Sequence, residues 1–107
     1  MATGSQLTLY TSLSQRKGGR TAVEWILDTA NEVGVHGATV VECSEGVDSH
    51  GRVHAARFFE LADEPAVVVI VAEDAAIDAL ITKLGEGGVK LFYTRVAARF
   101  GRLGDAP

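Results

Sequence analysis

Leu7, Leu9, Thr11 and Leu13 alternate with Thr8, Tyr10 and Ser12 near the start of the chain, a period of two that predicts a strand with one buried face. A polar turn through Gly18 and Gly19 follows. Thr21 with Glu24 three residues later has the form of a capping box at a helix start. Val23, Ile26, Leu27, Ala30 and Val33 then recur at helical spacing, with Glu24, Asp28, Asn31 and Glu32 on the other side. Gly34 stands where a helix commonly ends in a left-handed residue. A second strand is predicted over about Ala38–Cys43, and a third over Ala66–Ala72, where every residue is Val, Ile or Ala, as suits a central strand. Glu73 or Asp74 opens a second helix with Ile77, Leu80, Ile81 and Leu84 on its apolar side, and Gly85 closes it. Val89–Val96 reads as the last strand, and the residues from about 101 as a tail.

The resulting order, β-α-β-β-α-β, predicts an α+β fold of the ferredoxin-like kind. Two helices would cover one face of a four-stranded antiparallel sheet. The other face then needs a partner or a polar coat, which makes self-association an expectation. The stretch from Ser44 to Pro65 is too long for a plain hairpin. Its first part, residues 44–56, has little to bury and reads as a surface loop able to order on binding. Phe58, Phe59 and Leu61 offer apolar anchors after it.

Length and composition fit this plan. The 107 residues are 47% hydrophobic and 22% charged, enough for one domain, 1–107, with a core of its own. The single cysteine, Cys43, cannot form an internal disulfide, and the small polar N-terminus has the character of neither a signal peptide nor a membrane anchor, so a cytoplasmic location is expected. Ten basic against fourteen acidic residues leave a net charge of −4, which argues against a general nucleic-acid binder. The basic residues nevertheless cluster. Arg16, Lys17 and Arg20 lie together near the start, and Lys90, Arg95, Arg99 and Arg102 occupy a stretch without a carboxylate until Asp105. That pattern is compatible with a small anionic ligand or with plain surface charge.

Three groups of residues have chemical potential. Cys43, Asp48, His50 and His54 mix soft and hard metal ligands, but Gly51 disfavours the helix that would bring the histidines to one face. No second cysteine supports a structural zinc site, so no metal site is assigned. Glu73, Asp74 and Asp78 fall at a helix start, where carboxylates stabilise the positive end of the dipole. The run Gly85-Glu86-Gly87-Gly88-Val89-Lys90 is more informative, because glycines let backbone N–H groups approach an anion and a lysine adds charge. It lacks the spacing and the following Ser or Thr of a Walker sequence. Nothing resembles a catalytic triad or an acid–base pair, and the expectation is a protein that is not an enzyme.

The element order and several local motifs resemble the PII-like signalling proteins, above all their branch known only as a domain of unknown function. Gly37-Ala38-Thr39-Val40-Val41-Glu42 is similar to the Gly-x-Thr-Val-x-Glu with which PII proteins enter their second strand. Residues 44–56 occupy the place of the family's T-loop, and Arg52-Val53-His54-Ala55-Ala56-Arg57 resembles the loop exit of that branch. Gly87 and Lys90-Leu91-Phe92 resemble the B-loop and the strand after it, while Arg99 and Arg102 fall near the arginines of the C-loop. The likeness covers about Leu7 to Val96.

This resemblance implies a homotrimer that binds adenine nucleotide (AMP, ADP or ATP) as an effector, rather than a tightly held cofactor, in clefts between subunits. Gly87, Gly88, Lys90, Arg99 and Arg102 would meet the phosphates, with Thr39 near the adenine. A loop bearing Gly46, Asp48, His50, Arg52 and His54 would engage a transporter or enzyme. Where PII proteins carry Gly-Phe-Gly-Arg-Gln, this chain reads Glu45-Gly46-Val47-Asp48-Ser49, so 2-oxoglutarate sensing is not implied. Some relatives respond to bicarbonate, which makes inorganic-carbon regulation an expectation. The competing reading is a metal-binding trimer of the divalent-cation-tolerance type.

Overall fold

The computed structural model describes residues 2–35, 37–43, 46–47, 53–54 and 64–104. Strand β1 (Ala2–Ser12) leads into a small hairpin, β2 (Arg16–Lys17) with β3 (Arg20–Thr21), and then into helix α1 (Ala22–Glu32). Strands β4 (Thr39–Glu42), β5 (Gly46–Val47), β6 (Val53–His54) and β7 (Pro65–Ala72) follow, then α2 (Asp74–Gly85) and β8 (Phe92–Phe100). The main sheet has the order β4-β7-β1-β8, antiparallel throughout. With both helices contacting β1, this is the ferredoxin-like plan expected from the sequence.

The helix starts form for different reasons. At α1, Thr21 and Glu24 complete the capping box in both directions, which satisfies N–H groups that a helix start otherwise leaves open. Gly34 after it takes a φ of +90°. At α2, Glu73 is the cap residue but its side chain makes no capping bond. Asp74 on that first turn is instead engaged by the sheet, as described below. Lys83 of α2 bridges to Glu32 of α1 at 3.0 Å.

Register divides the sheet into two faces. Leu7 pairs with Ile70 and Leu9 with Val68, and residues opposite one another in an antiparallel pair share a face. These four side chains lie in the core with Trp25, Ile26, Ala30, Ile77, Leu80 and Leu84. One residue along, Thr8 pairs with Val69 and Thr94, Tyr10 with Val67 and Phe92, and Gln6 with Val71 and Val96. Among the described residues that second face carries no helix, and on it Phe92 is 60% and Val96 55% exposed.

Two strand boundaries depart from the sequence reading. The first strand begins at Ala2 rather than Leu7, because the small polar start of the chain pairs with the end of β8, Ala2 opposite Phe100. The last strand runs from Phe92 to Phe100 instead of Val89 to Val96. Its start is delayed because Gly88 turns with a φ of +77° and the Lys90 carbonyl accepts a hydrogen bond from Gln15 Nε2 at 3.3 Å. Gly85 closes α2 as its last helical residue, as read from the sequence, and Glu86 follows as the cap.

Candidate functional site

The glycine-rich turn between α2 and β8 lies at the end of the sheet where β1 finishes and β8 starts, Tyr10 being opposite Phe92. Its conformation is imposed by two glycines with different tasks. A Cβ on Gly87 would stand 2.2 Å from Cζ2 of Trp25, so the backbone packs directly on the indole and no larger residue fits without a shift. Gly88 has open space around it but a positive φ, which other residues adopt only with strain. The Gly87 N–H is spent on the Leu84 carbonyl at 3.1 Å and that of Glu86 on the Lys83 carbonyl. The turn beyond them, through Gly88 and the exposed Lys90, is the part open to a ligand.

The β2–β3 hairpin borders the same turn. The Lys17 ammonium lies over the Trp25 ring, 5.7 Å from its centroid, a geometry in which cation and ring attract. Gln15, just ahead of the hairpin, accepts from Thr11 Oγ1 at 2.6 Å while donating to Lys90. The hairpin, Trp25 and the glycine turn therefore form one contiguous patch. This packing was not legible in the sequence, since Trp25 and Gly87 are far apart along the chain and Trp25 reads simply as a helix residue. Below the turn, Leu9, Ile81, Leu84, Gly85, Val89, Leu91 and Tyr93 line an apolar cavity of about 120 Å³.

The other residues implicated by sequence lie elsewhere on the subunit. Thr39 opens β4 and pairs with Val69, at the far edge of the sheet from Lys90. Three strand spacings of about 4.8 Å separate them before any offset along the strands. Arg99 pairs with Thr3 near the other end of β8, with Arg102 just beyond it. Nine extended residues span roughly 30 Å, so Lys90 and Arg99 of one chain do not meet at one small ligand. Within one subunit, only Gly87, Gly88 and Lys90 come together.

Arg95 belongs to neither end. Its guanidinium donates to Asp78 Oδ1 at 2.6 Å, to Asp74 Oδ1 at 3.1 Å and to Ser5 Oγ at 3.0 Å, while the Ser5 hydroxyl donates to Asp74 at 2.6 Å. The Ser5 and Arg95 bonds hold the Asp74 carboxyl below its ordinary range; Asp78 and Asp74 in turn raise Arg95. The helix-start carboxylates thus clamp α2 to the sheet. Glu24 is likewise lowered, by the Thr21 backbone N–H and then the Thr21 hydroxyl.

The proposed partner loop falls largely outside the described residues, which include none of Asp48, His50 and Arg52. Within it, Gly46 pairs with His54 and Val47 with Val53. The metal ligands considered above lie partly there too. Among the described residues, no group of three or more His, Cys, Asp or Glu is placed to hold a metal ion, and no helix is long and apolar enough to cross a membrane.

Comparison with known proteins agrees with this architecture. No curated protein matches the sequence. Among solved structures, the chain is similar to CPII, a nitrogen regulatory PII-like protein from Thiomonas intermedia K12. The form bound to ADP, AMP and bicarbonate superposes with a TM-score of 0.64 at 16% identity, over 94% of this chain and 96% of that one. The form bound to ADP and bicarbonate gives 0.66 at 16% identity, over 94% and 91%. A protein of Thermus thermophilus described as PII-like signalling gives 0.56 at 11% identity, over 92% and 93%. The profile of the DUF190 family, described as an uncharacterized ACR, matches residues 4–93. With a PII-like fold and a family match across most of its length, this chain belongs to the DUF190 family.

Proposed function

We propose that this protein is a cytoplasmic regulatory module that assembles as a trimer and binds adenine nucleotide between subunits. The observation that carries the reading is the division of cationic groups on one chain. Gly87, Gly88 and Lys90 lie at one end of β8 and Arg99 and Arg102 at the other, so a site using both sets needs a second copy. The uncovered sheet face, with Val41, Val71, Phe92 and Val96 exposed, supports such an assembly, since contiguous exposed apolar area commonly marks an interface. In the assembly Lys90 and the turn hold the phosphates, the neighbour's arginines close over them, and Thr39 borders the base. Bicarbonate serves as a second effector, a reading supported by the CPII structures bound to ADP and bicarbonate. The segment 44–56 reports occupancy to a transporter or enzyme of inorganic-carbon metabolism. A nucleotide can do this only by binding one loop state better than another.

Native mass spectrometry and calorimetry with AMP, ADP and ATP test the reading. A threefold mass and binding of at least one nucleotide are expected. Lys90→Ala should weaken that binding about tenfold, the scale of one lost charge-assisted phosphate contact, without unfolding the chain. A folded sample that binds none of the three refutes nucleotide sensing, and unchanged affinity in Lys90→Ala refutes the placement of the site.

A further inference from the structure

We infer that Lys17 is a second cation of this phosphate site, delivered by the β2–β3 hairpin to the outer phosphates of a nucleotide anchored at Lys90. The inference rests on the nucleotide reading above and adds to it a residue that neither the glycine motif nor the C-terminal arginines point to.

The hairpin is held in place. Lys17 pairs with Arg20 and Arg16 with Thr21, Arg16 Nη2 donates to the Gly19 carbonyl at 3.0 Å, and Ala22 N–H donates to the Gln15 carbonyl at 2.8 Å. Thr21 is also the cap of α1, so the hairpin cannot swing without uncapping the helix. It meets the glycine turn twice, at the Gln15–Lys90 bond and through Trp25, which carries Lys17 over its ring and Gly87 against its edge. The Lys17 ammonium and the Gly87 backbone therefore share one indole ring. Long lysine side chains lose entropy when fixed, and the attraction of the ring biases this one toward the turn side of Trp25.

Charge accounting leaves the same residue among the unpaired cations. Among the described residues Arg20 is paired with Asp28, Lys83 with Glu32, and Arg95 with Asp74 and Asp78. Arg16, Lys17, Lys90, Arg99 and Arg102 have no such carboxylate there, and of these Lys17 is the one seated on the Trp25 ring beside the turn. An indole face attracts an ammonium without neutralising it, so the charge stays available to a ligand. The nearby Glu24 carboxylate is engaged by the Thr21 N–H and hydroxyl. Two lysines on separate segments, both flanking one glycine turn, suit a chain of phosphates better than a single one.

Affinities of ATP, AMP and inorganic tripolyphosphate measured for the intact protein test this, with Trp25, the one tryptophan, as a fluorescence reporter. Lys17→Gln should weaken ATP and tripolyphosphate about tenfold and AMP less than twofold. Lys17→Arg should keep most of the affinity, and Lys17→Met, which retains the apolar stem on the ring, should behave like Lys17→Gln. A role limited to packing on Trp25 would lower the melting temperature without changing the ATP-to-AMP ratio. An unchanged ratio in Lys17→Gln, with Lys90→Ala weakening all phosphorylated ligands, overturns the inference and leaves the nucleotide reading standing. Tripolyphosphate binding that depends on Lys17, with no nucleotide bound, keeps the phosphate site and overturns the adenine reading. Binding of none of the three by the unaltered protein overturns both.

Discussion

On β7, Val68 and Ile70 lie under the helices and are fully buried, while Val67, Val69 and Val71 occupy the opposite face beside Tyr10, Phe92 and Val96. The two sets are nearly identical in residue type. What separates them is cover: α1 and α2 supply it on one side, and nothing in the described chain supplies it on the other. Amino-acid type alone would not say which face is the core. A strand that is apolar on both sides belongs to a sheet meant to be sandwiched, and the described residues supply one half of that sandwich.

Substitutions on the two faces should therefore behave differently, and the largest effect is expected beneath the helices. Ile70→Ala should lose about 2–5 kcal/mol in denaturant unfolding, through lost burial and the cavity left behind. Val96→Asp on the open face should shift the isolated subunit by roughly 0.5 kcal/mol or less but reduce the assembled mass. An undiminished mass would show that this face is not the interface.

Intermediate effects are expected where the glycine turn meets the helix layer. Gly87→Ala must displace the Trp25 ring and should cost about 1–3 kcal/mol, as overpacking does, with a change in tryptophan emission. Gly88→Ala meets no neighbour and should cost about 1–2 kcal/mol, from backbone strain alone, with the emission unaltered. Equal emission changes in the two variants would contradict the direct packing of Gly87 on the indole.

The smallest effect concerns the polar clamp of the covered face. Its ion pairs are solvent-exposed, so Arg95→Met should lower the melting temperature only slightly, less than the core and glycine substitutions above. The sign of its pH dependence follows from Asp74, whose folded-state carboxyl titrates below its ordinary range. Its contribution is complete above that range and is lost as pH falls through the lowered folded value. Asp74→Asn should remove part of the acid-induced loss of stability seen in the unaltered protein, and an acid limb of unchanged slope would contradict this.

Much of the fold could be read along the chain because its determinants are local. Thr21, Glu24 and Gly34 mark α1 within a few residues, and the valine run marks β7. The ends of β1 and β8 could not be read, because Ala2–Gly4 become strand by pairing with residues some ninety positions away. The candidate site divides the same way. Glycines and a lysine in sequence announce a turn suited to an anion, whereas the contact of Trp25 with Gly87 and the capture of Arg95 by two α2 carboxylates arise only when distant segments pack. Asp74 and Asp78 read as dipole partners of a helix start; the structure adds the sheet residue that they hold.

The order β4-β7-β1-β8 also leaves β8, nine residues long, as an outer strand with one row of backbone groups unpaired in the sheet. Such a margin can template growth by adding a strand from another molecule. Here Arg95 and Arg99 stand along it, and charge on an outer strand disfavours that addition. The opposite margin, β4, is only four residues long. Length guards one border and cationic side chains the other, so the chain can leave an apolar sheet face uncovered without also inviting fibre-like extension at its sides.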